Sequence, residues 1–245
     1  AAATIKHTQL ELGGKNALII CPDADVDAAV AGALKGMNFG WTAGQSCGST
    51  SRVLVHESLY PAVVAKLTAA FDAIALGDPL DPNTEMGCLS TQAQFDKVQG
   101  FLARALAAGA QVPTRREVDP ALGKGFYVRP TLVTALSPDM EIAREEVFGP
   151  VLSVLSWTEE EHMLAMVNGV DVGLTASIWT ESLETALRLS DRIQAGYVWV
   201  NDASDHYLGA PFGGVKQSGL GREECLDELL AYTEKKTVTL ISRKT

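Results

Sequence analysis

VLSVLSW at 151–157, TASIW at 175–179 and YVWVN at 197–201 are three short apolar runs, and two helical patterns, EEEHMLAMVN at 159–168 and SLETALRLSDRI at 182–193, lie between them. Short runs rich in Val, Ile and Trp form strands, whereas apolar residues recurring at intervals of three and four form a helix with one buried stripe. Each intervening helix is long enough to carry the chain back, so successive strands run parallel. Strands buried on both faces need helices on both sides. The pattern predicts an α/β fold of three layers, αβα, around a largely parallel sheet.

The rest of the chain repeats the alternation. NALIIC (16–21) is an apolar run ended by Pro22, with Asp23 as the expected cap of a helix reaching about Asn38. RVLVH (52–56) reads as a strand, followed by a helix through PAVVAKLTAAFDAI with Ser58 as its cap. GDPLDPNTEMG (77–87) is a loop by its glycine, proline and Asp/Asn content. Thr91 starts a further helix that Gly109 stops as a C′ residue. Ala1–Lys6 reads as the tail of a helix. Thr237–Ile241 reads as a strand outside the main sheet, with few charges, suited to pairing between chains.

The chain has 245 residues, 47% hydrophobic and 20% charged, enough for a large core. Its net charge of −10 argues against a nucleic-acid partner or an anionic membrane surface. No apolar run reaches the length of a membrane span. Cys21, Cys47, Cys88 and Cys225 show no paired spacing, so neither a metal site nor a disulfide framework is expected, and a reducing, cytoplasmic location fits.

Four stretches carry chemistry. In LELGGK (10–15), Glu11 precedes two glycines that permit a sharp turn or a close approach. Taken alone, Glu11 reads as an exposed carboxylate at a turn. GQSCGSTSR (44–52) sets Cys47 among small residues, with room around the sulfur and backbone donors that favour a thiolate and an oxyanion. The other cysteines read as packing residues. EEVFGPV (145–151) puts two carboxylates, an aromatic ring and a Gly-Pro turn ahead of a strand. PFGGVKQSGLGRE (211–223) has four glycines before a helix but lacks the spacing of a phosphate loop, so it reads as a pocket wall.

In this order, with YVWVN shortly before the last, the four stretches resemble the aldehyde dehydrogenase superfamily over essentially the whole chain. The resemblance implies Cys47 as nucleophile and Glu11 as general base acting on an aldehyde substrate. It implies NAD or NADP as cofactor, with Glu146 at the nicotinamide ribose, Phe148 beside it, and Gln94 and Lys97 at the adenosine ribose. Phe212 and Tyr207 align with the substrate tunnel.

The same resemblance divides the chain. Residues 1–10 are the tail of a missing dinucleotide-binding domain, which would also supply an oxyanion-hole Asn; 11–230 are the catalytic domain; 231–245 are a bridging segment of a homo-oligomer. Weak cofactor binding by this chain alone is expected. A thiol esterase or acylating enzyme, or a catalytically silent interaction module, are the alternatives.

Overall fold

Leu18 and Ile20 face one side of a strand while Ala17, Ile19 and Cys21 face the other, and all five are buried. That strand, β2 (Ala17–Ile20), is central because apolar residues on both faces exclude water from both. The computed structural model describes residues 3–123 and 125–242. Around β2 stand β3 (Arg52–His56), β4 (Thr131–Val133), β5 (Val151–Trp157), β7 (Thr175–Trp179) and β8 (Tyr197–Val200), in the order β4-β5-β3-β2-β7-β8. Every neighbouring pair is parallel.

Helices α1 (Val26–Gly36), α3 (Tyr60–Ala73) and α4 (Gln92–Ala107) pack on the Leu18/Ile20 face. On the Ile19 face lie α6 (Glu160–Asn168) and α7 (Leu183–Arg192). The three expected layers are present. Full burial of Leu18, Ile19 and Ile20 contributes roughly 1.5–3 kcal/mol each. Short pieces complete the chain: β1 (Leu10–Glu11), α2 (Phe39–Thr42), α5 (Glu141–Arg144), β6 (Val172–Gly173), β9 (Val215–Lys216), β10 (Gly219–Leu220) and α8 (Leu226–Ala231). β1 pairs antiparallel with β10, and β6 with β9.

Several expected ends move. Asp25, not Asp23, caps α1, accepting from the amides of Asp27 at 2.9 Å and Ala28 at 3.0 Å. A turn over Cys21–Ala24 delays the helix, so Asp23 instead accepts from the Thr180 hydroxyl at 2.8 Å. Ser58 does not cap α3, because its hydroxyl pairs with His56 Nδ1 at 2.7 Å. Thr91 caps α4 as expected, and Gly109 follows it at φ 95°.

Residues 3–9 form no helix; the chain there runs from a turn into β1, and Ala1 and Ala2 lie outside the described residues. Residues 237–241 form no strand within this chain. A strand needs a neighbour to satisfy its amides, and Val238, Leu240 and Ile241 are exposed. Cys21 is buried, but Cys88 and Cys225 are only half-buried.

Candidate active site

In a parallel sheet all strands begin at one edge. The segments carrying Asn16, Cys47, Glu146 and Thr175 lead into β2, β3, β5 and β7, so the topology gathers them at the amino edge. This is the reverse of the usual rule for open α/β sheets, whose ligands sit at the carboxyl ends.

The two glycines of LELGGK allow close approach within the chain itself. A Cβ on Gly13 would collide with the Glu146 carboxylate, and one on Gly14 would lie 2.8 Å from the Cys47 carbonyl oxygen. The Gly14 amide donates to Glu146 Oε1 at 2.9 Å, across 132 residues. Asn16, 3% exposed, donates through Nδ2 to the carbonyls of Cys47 at 2.6 Å and Ser49 at 2.8 Å. Its Oδ1 accepts from the Thr175 amide at 3.0 Å.

Cys47 lies half-buried in the loop between α2 and β3. Contrary to the expected thiolate, its thiol is pushed up, first by burial and then by the charges of Glu11 and Glu146. The Gly48 amide, and next its own, pull the other way without prevailing. Glu11 sits at the end of β1, opposite Gly219. Both its carboxylate oxygens are sealed from solvent and unpartnered; the Gly214 amide favours the charged form but makes no hydrogen bond of normal geometry. Burial pushes the Glu11 pKa up, as does the Glu223 charge, against the opposing charge of Arg222.

Glu146 is also pushed up by burial, while the Gly14 amide, Lys97 and Lys15 resist. Its carboxylate lines a polar cavity of about 390 Å³ with Gly13, Lys97, Phe101 and Glu145. Phe148 takes a left-handed backbone at φ 58°, which costs a side-chain-bearing residue about 1–3 kcal/mol. Gln94 holds that turn: its amide donates to the carbonyls of Val147 at 3.0 Å and Phe148 at 2.7 Å. Phe212 is buried against Tyr197 and His206, and its neighbour Gly213 lies beside the Glu11 carboxylate. Tyr207 stands apart, largely exposed, with its hydroxyl donating to Asp202 at 3.1 Å.

Two neighbours of this site were not singled out from the sequence. Asn16 is one; Lys15, fully enclosed with Nζ unpartnered, is the other. Burial, aided by Arg52, lowers the Lys15 ammonium to about 7. Arg52 is itself buried and donates to the carbonyls of Met166 at 2.8 Å and Val167 at 3.1 Å. The available signal was position: both Lys15 and Asn16 abut the all-buried run of β2. No group of metal-binding side chains occurs among the described residues.

An α/β domain with a cysteine loop and two half-buried carboxylates at one sheet edge is the class these features define. The profile of the aldehyde dehydrogenase family matches residues 1–238, and the chain belongs to that family. It is 47% identical to aldehyde dehydrogenase tropH of Talaromyces stipitatus over 98% of this chain and 48% of that protein. It is 41% identical to a betaine aldehyde dehydrogenase of Sinorhizobium fredii over 97% of this chain and 49% of that one. The chain thus spans about half the length of these curated relatives. An aldehyde dehydrogenase from Bacillus cereus, solved as an NAD+ complex, superposes with a TM-score of 0.89 at 39% identity, covering 95% of this chain and 47% of that one. Betaine aldehyde dehydrogenase from Staphylococcus aureus, in complex with NAD+, gives 0.90 at 33% identity over 99% and 50%.

Proposed function

We propose that this chain is the catalytic part of an NAD(P)-dependent aldehyde dehydrogenase, with Cys47 as nucleophile and Glu11 as general base. The observation that carries the reading is the pairing of a half-buried thiol with a sealed, unpartnered carboxylate whose charge reaches it. A buried carboxylate without a donor costs stability, and a structural role offers nothing in return. A raised pKa makes Glu11 a stronger base toward the thiol or toward water.

Deprotonated Cys47 adds to the aldehyde carbon, forming a carbon–sulfur bond and an alkoxide that the backbone amides of the loop can receive. The Glu146 carboxylate has one oxygen fixed by Gly14 and faces the 390 Å³ cavity beside Lys97, which fits the hydroxyls of a ribose. A nicotinamide dinucleotide held there supplies the two-electron oxidant for the Cys47 adduct. The acyl group is then a thioester on Cys47. Glu11 takes a proton from water, the hydroxide displaces the sulfur, and carboxylic acid leaves with the thiol restored. Phe212, through its contact with the Glu11 surroundings, walls the acyl side; Gln94 serves by fixing the Phe148 turn. Residues 1–10 complete a dinucleotide domain in a longer protein, 11–230 carry catalysis, and 231–245, exposed over 231–242, joins subunits of an oligomer.

Iodoacetamide labelling with peptide mapping tests the assignment. Cys47 is expected to react ahead of Cys88 and Cys225; earlier labelling of either would remove it as nucleophile. For the cofactor, calorimetry on this chain alone is expected to show no NAD binding at millimolar concentration. Two contacts at one end do not offset the roughly 4–15 kcal/mol of lost ligand freedom. Micromolar binding would mean a cofactor site other than the Glu146 cavity.

A further inference from the structure

We infer that Asn16 is a positioning residue for the Cys47 thiol, holding the carbonyls of Cys47 and Ser49 so that the Gly48 amide is turned toward the sulfur. The inference rests on Cys47 being the nucleophile and adds what controls its acidity. In a trans peptide the C=O and the following N–H point in opposite directions. Asn16 Nδ2 draws the Cys47 carbonyl inward at 2.6 Å, so the Gly48 amide of the same peptide unit must point outward. The second bond, to the Ser49 carbonyl at 2.8 Å, fixes the loop two residues on. The amide orientation of Asn16 is itself determined: Nδ2 faces two acceptors and Oδ1 faces one donor, the Thr175 amide.

The Gly48 amide is then the strongest group favouring the thiolate, acting as an oriented dipole without a hydrogen bond of normal geometry, against burial and two carboxylates. Gly14 makes this clamp possible, since any side chain there would occupy the space between Asn16 and the Cys47 carbonyl. Among the described residues no other side chain donates to either carbonyl. An amide held pointing at a thiolate is strong enough to move its pKa by about one unit. Remove Asn16, and the Cys47 peptide is free to rotate and turn that amide away from the sulfur.

The test is the rate of Cys47 alkylation by iodoacetamide from pH 6 to 10, in the wild-type chain, N16L and N16D, with Cys88 and Cys225 as internal standards. N16L keeps the volume and removes the donors. N16D keeps the shape and the acceptor for Thr175 but turns an oxygen toward the two carbonyls. Both are expected to shift the midpoint upward by about one unit, slowing Cys47 about tenfold at pH 7.5. The rate above the midpoint should stay within about threefold, since a less acidic thiol is the better nucleophile. Opening of the loop through a purely structural loss would instead speed labelling at every pH and overturn the inference. So would a profile unchanged in both variants while wild-type Cys47 still leads; that leaves the nucleophile intact and Asn16 without the role. If N16L lacks the near-UV dichroism of the folded chain, N16A, which removes the donors without adding a charge, takes its place, because the carboxylate of N16D would raise the thiol by its own charge. If wild-type Cys47 does not lead, the functional reading itself falls, and the inference with it.

Discussion

Glu146 and Glu11 both act on Cys47 and are both pushed toward the protonated form by burial, yet they are held in opposite ways. Glu146 is tied to Gly14, balanced by Lys15 and Lys97, and carried by a turn that Gln94 clamps onto α4. Glu11 rides a ribbon of two residues paired with two others, β1 on β10, and no donor holds its oxygens. A group that binds can be fixed in advance; a group that must accept a proton cannot already be saturated with donors. The difference in support matches the difference in the roles proposed for them.

The Glu146 side holds the largest expected effect. Lys15 is lowered to about 7 in the folded chain from an ordinary value of 10.5. Between those values the unfolded chain binds the proton that the folded chain has released. The penalty for burying the charge is therefore full below about pH 7 and fades as pH rises toward 10.5. K15M is expected to raise Tm by roughly 5–10 °C at pH 6 and by little at pH 10. Equal shifts at both would show that Lys15 is paired and does not strain the Glu146 side.

The Glu11 ribbon should break more locally. Gly219 sits at φ +146° with the Leu10 carbonyl against it, so G219A is expected to cost roughly 1–3 kcal/mol. Hydrogen exchange should quicken at the Leu12 amide, which donates to the Ser218 carbonyl at 2.9 Å, and stay slow at Leu18 in β2. Uniform quickening would mean that ribbon and sheet unfold as one unit. On the other side, Q94A removes two hydrogen bonds from the strained Phe148 turn and should lower stability by about 1–2 kcal/mol, read as a fall in Tm. An unchanged Tm would deny that this turn is clamped.

The smallest expected effect is at Glu11 itself. Its folded pKa is raised, so the stability tied to its proton is full below the ordinary carboxylate value and is lost as pH rises through the folded one. E11Q should raise Tm by about 2–4 °C at pH 8 and leave it unchanged at pH 4. A lower Tm at pH 8 would reveal a partner for the carboxylate and erase the contrast with Glu146.

Five of the six strands of the sheet were legible because they are apolar on both faces: 17–20, 52–56, 151–157, 175–179 and 197–200 need no partner information to be read. The three residues of β4 (Thr131–Val133) are too short a run to be read without their neighbour β5. Caps were less so. Asp23 and Asp25 are equally good capping residues, and only the turn after β2 chooses between them. Residues 237–241 have the composition of a strand, but composition does not supply a neighbour.

The same division runs through the site. The residue types and their order, a cysteine among small residues, a glutamate before two glycines, and two glutamates before Val-Phe-Gly-Pro, are fixed by the sequence and identify the family. That Cys47 is less acidic than its loop suggests, that Lys15 is buried without a partner, and that Asn16 grips the Cys47 loop were decided only by folding. Desolvation and hydrogen bonding depend on which loops meet. Here they meet because a parallel sheet brings the starts of its strands to one edge, whatever the number of residues between them.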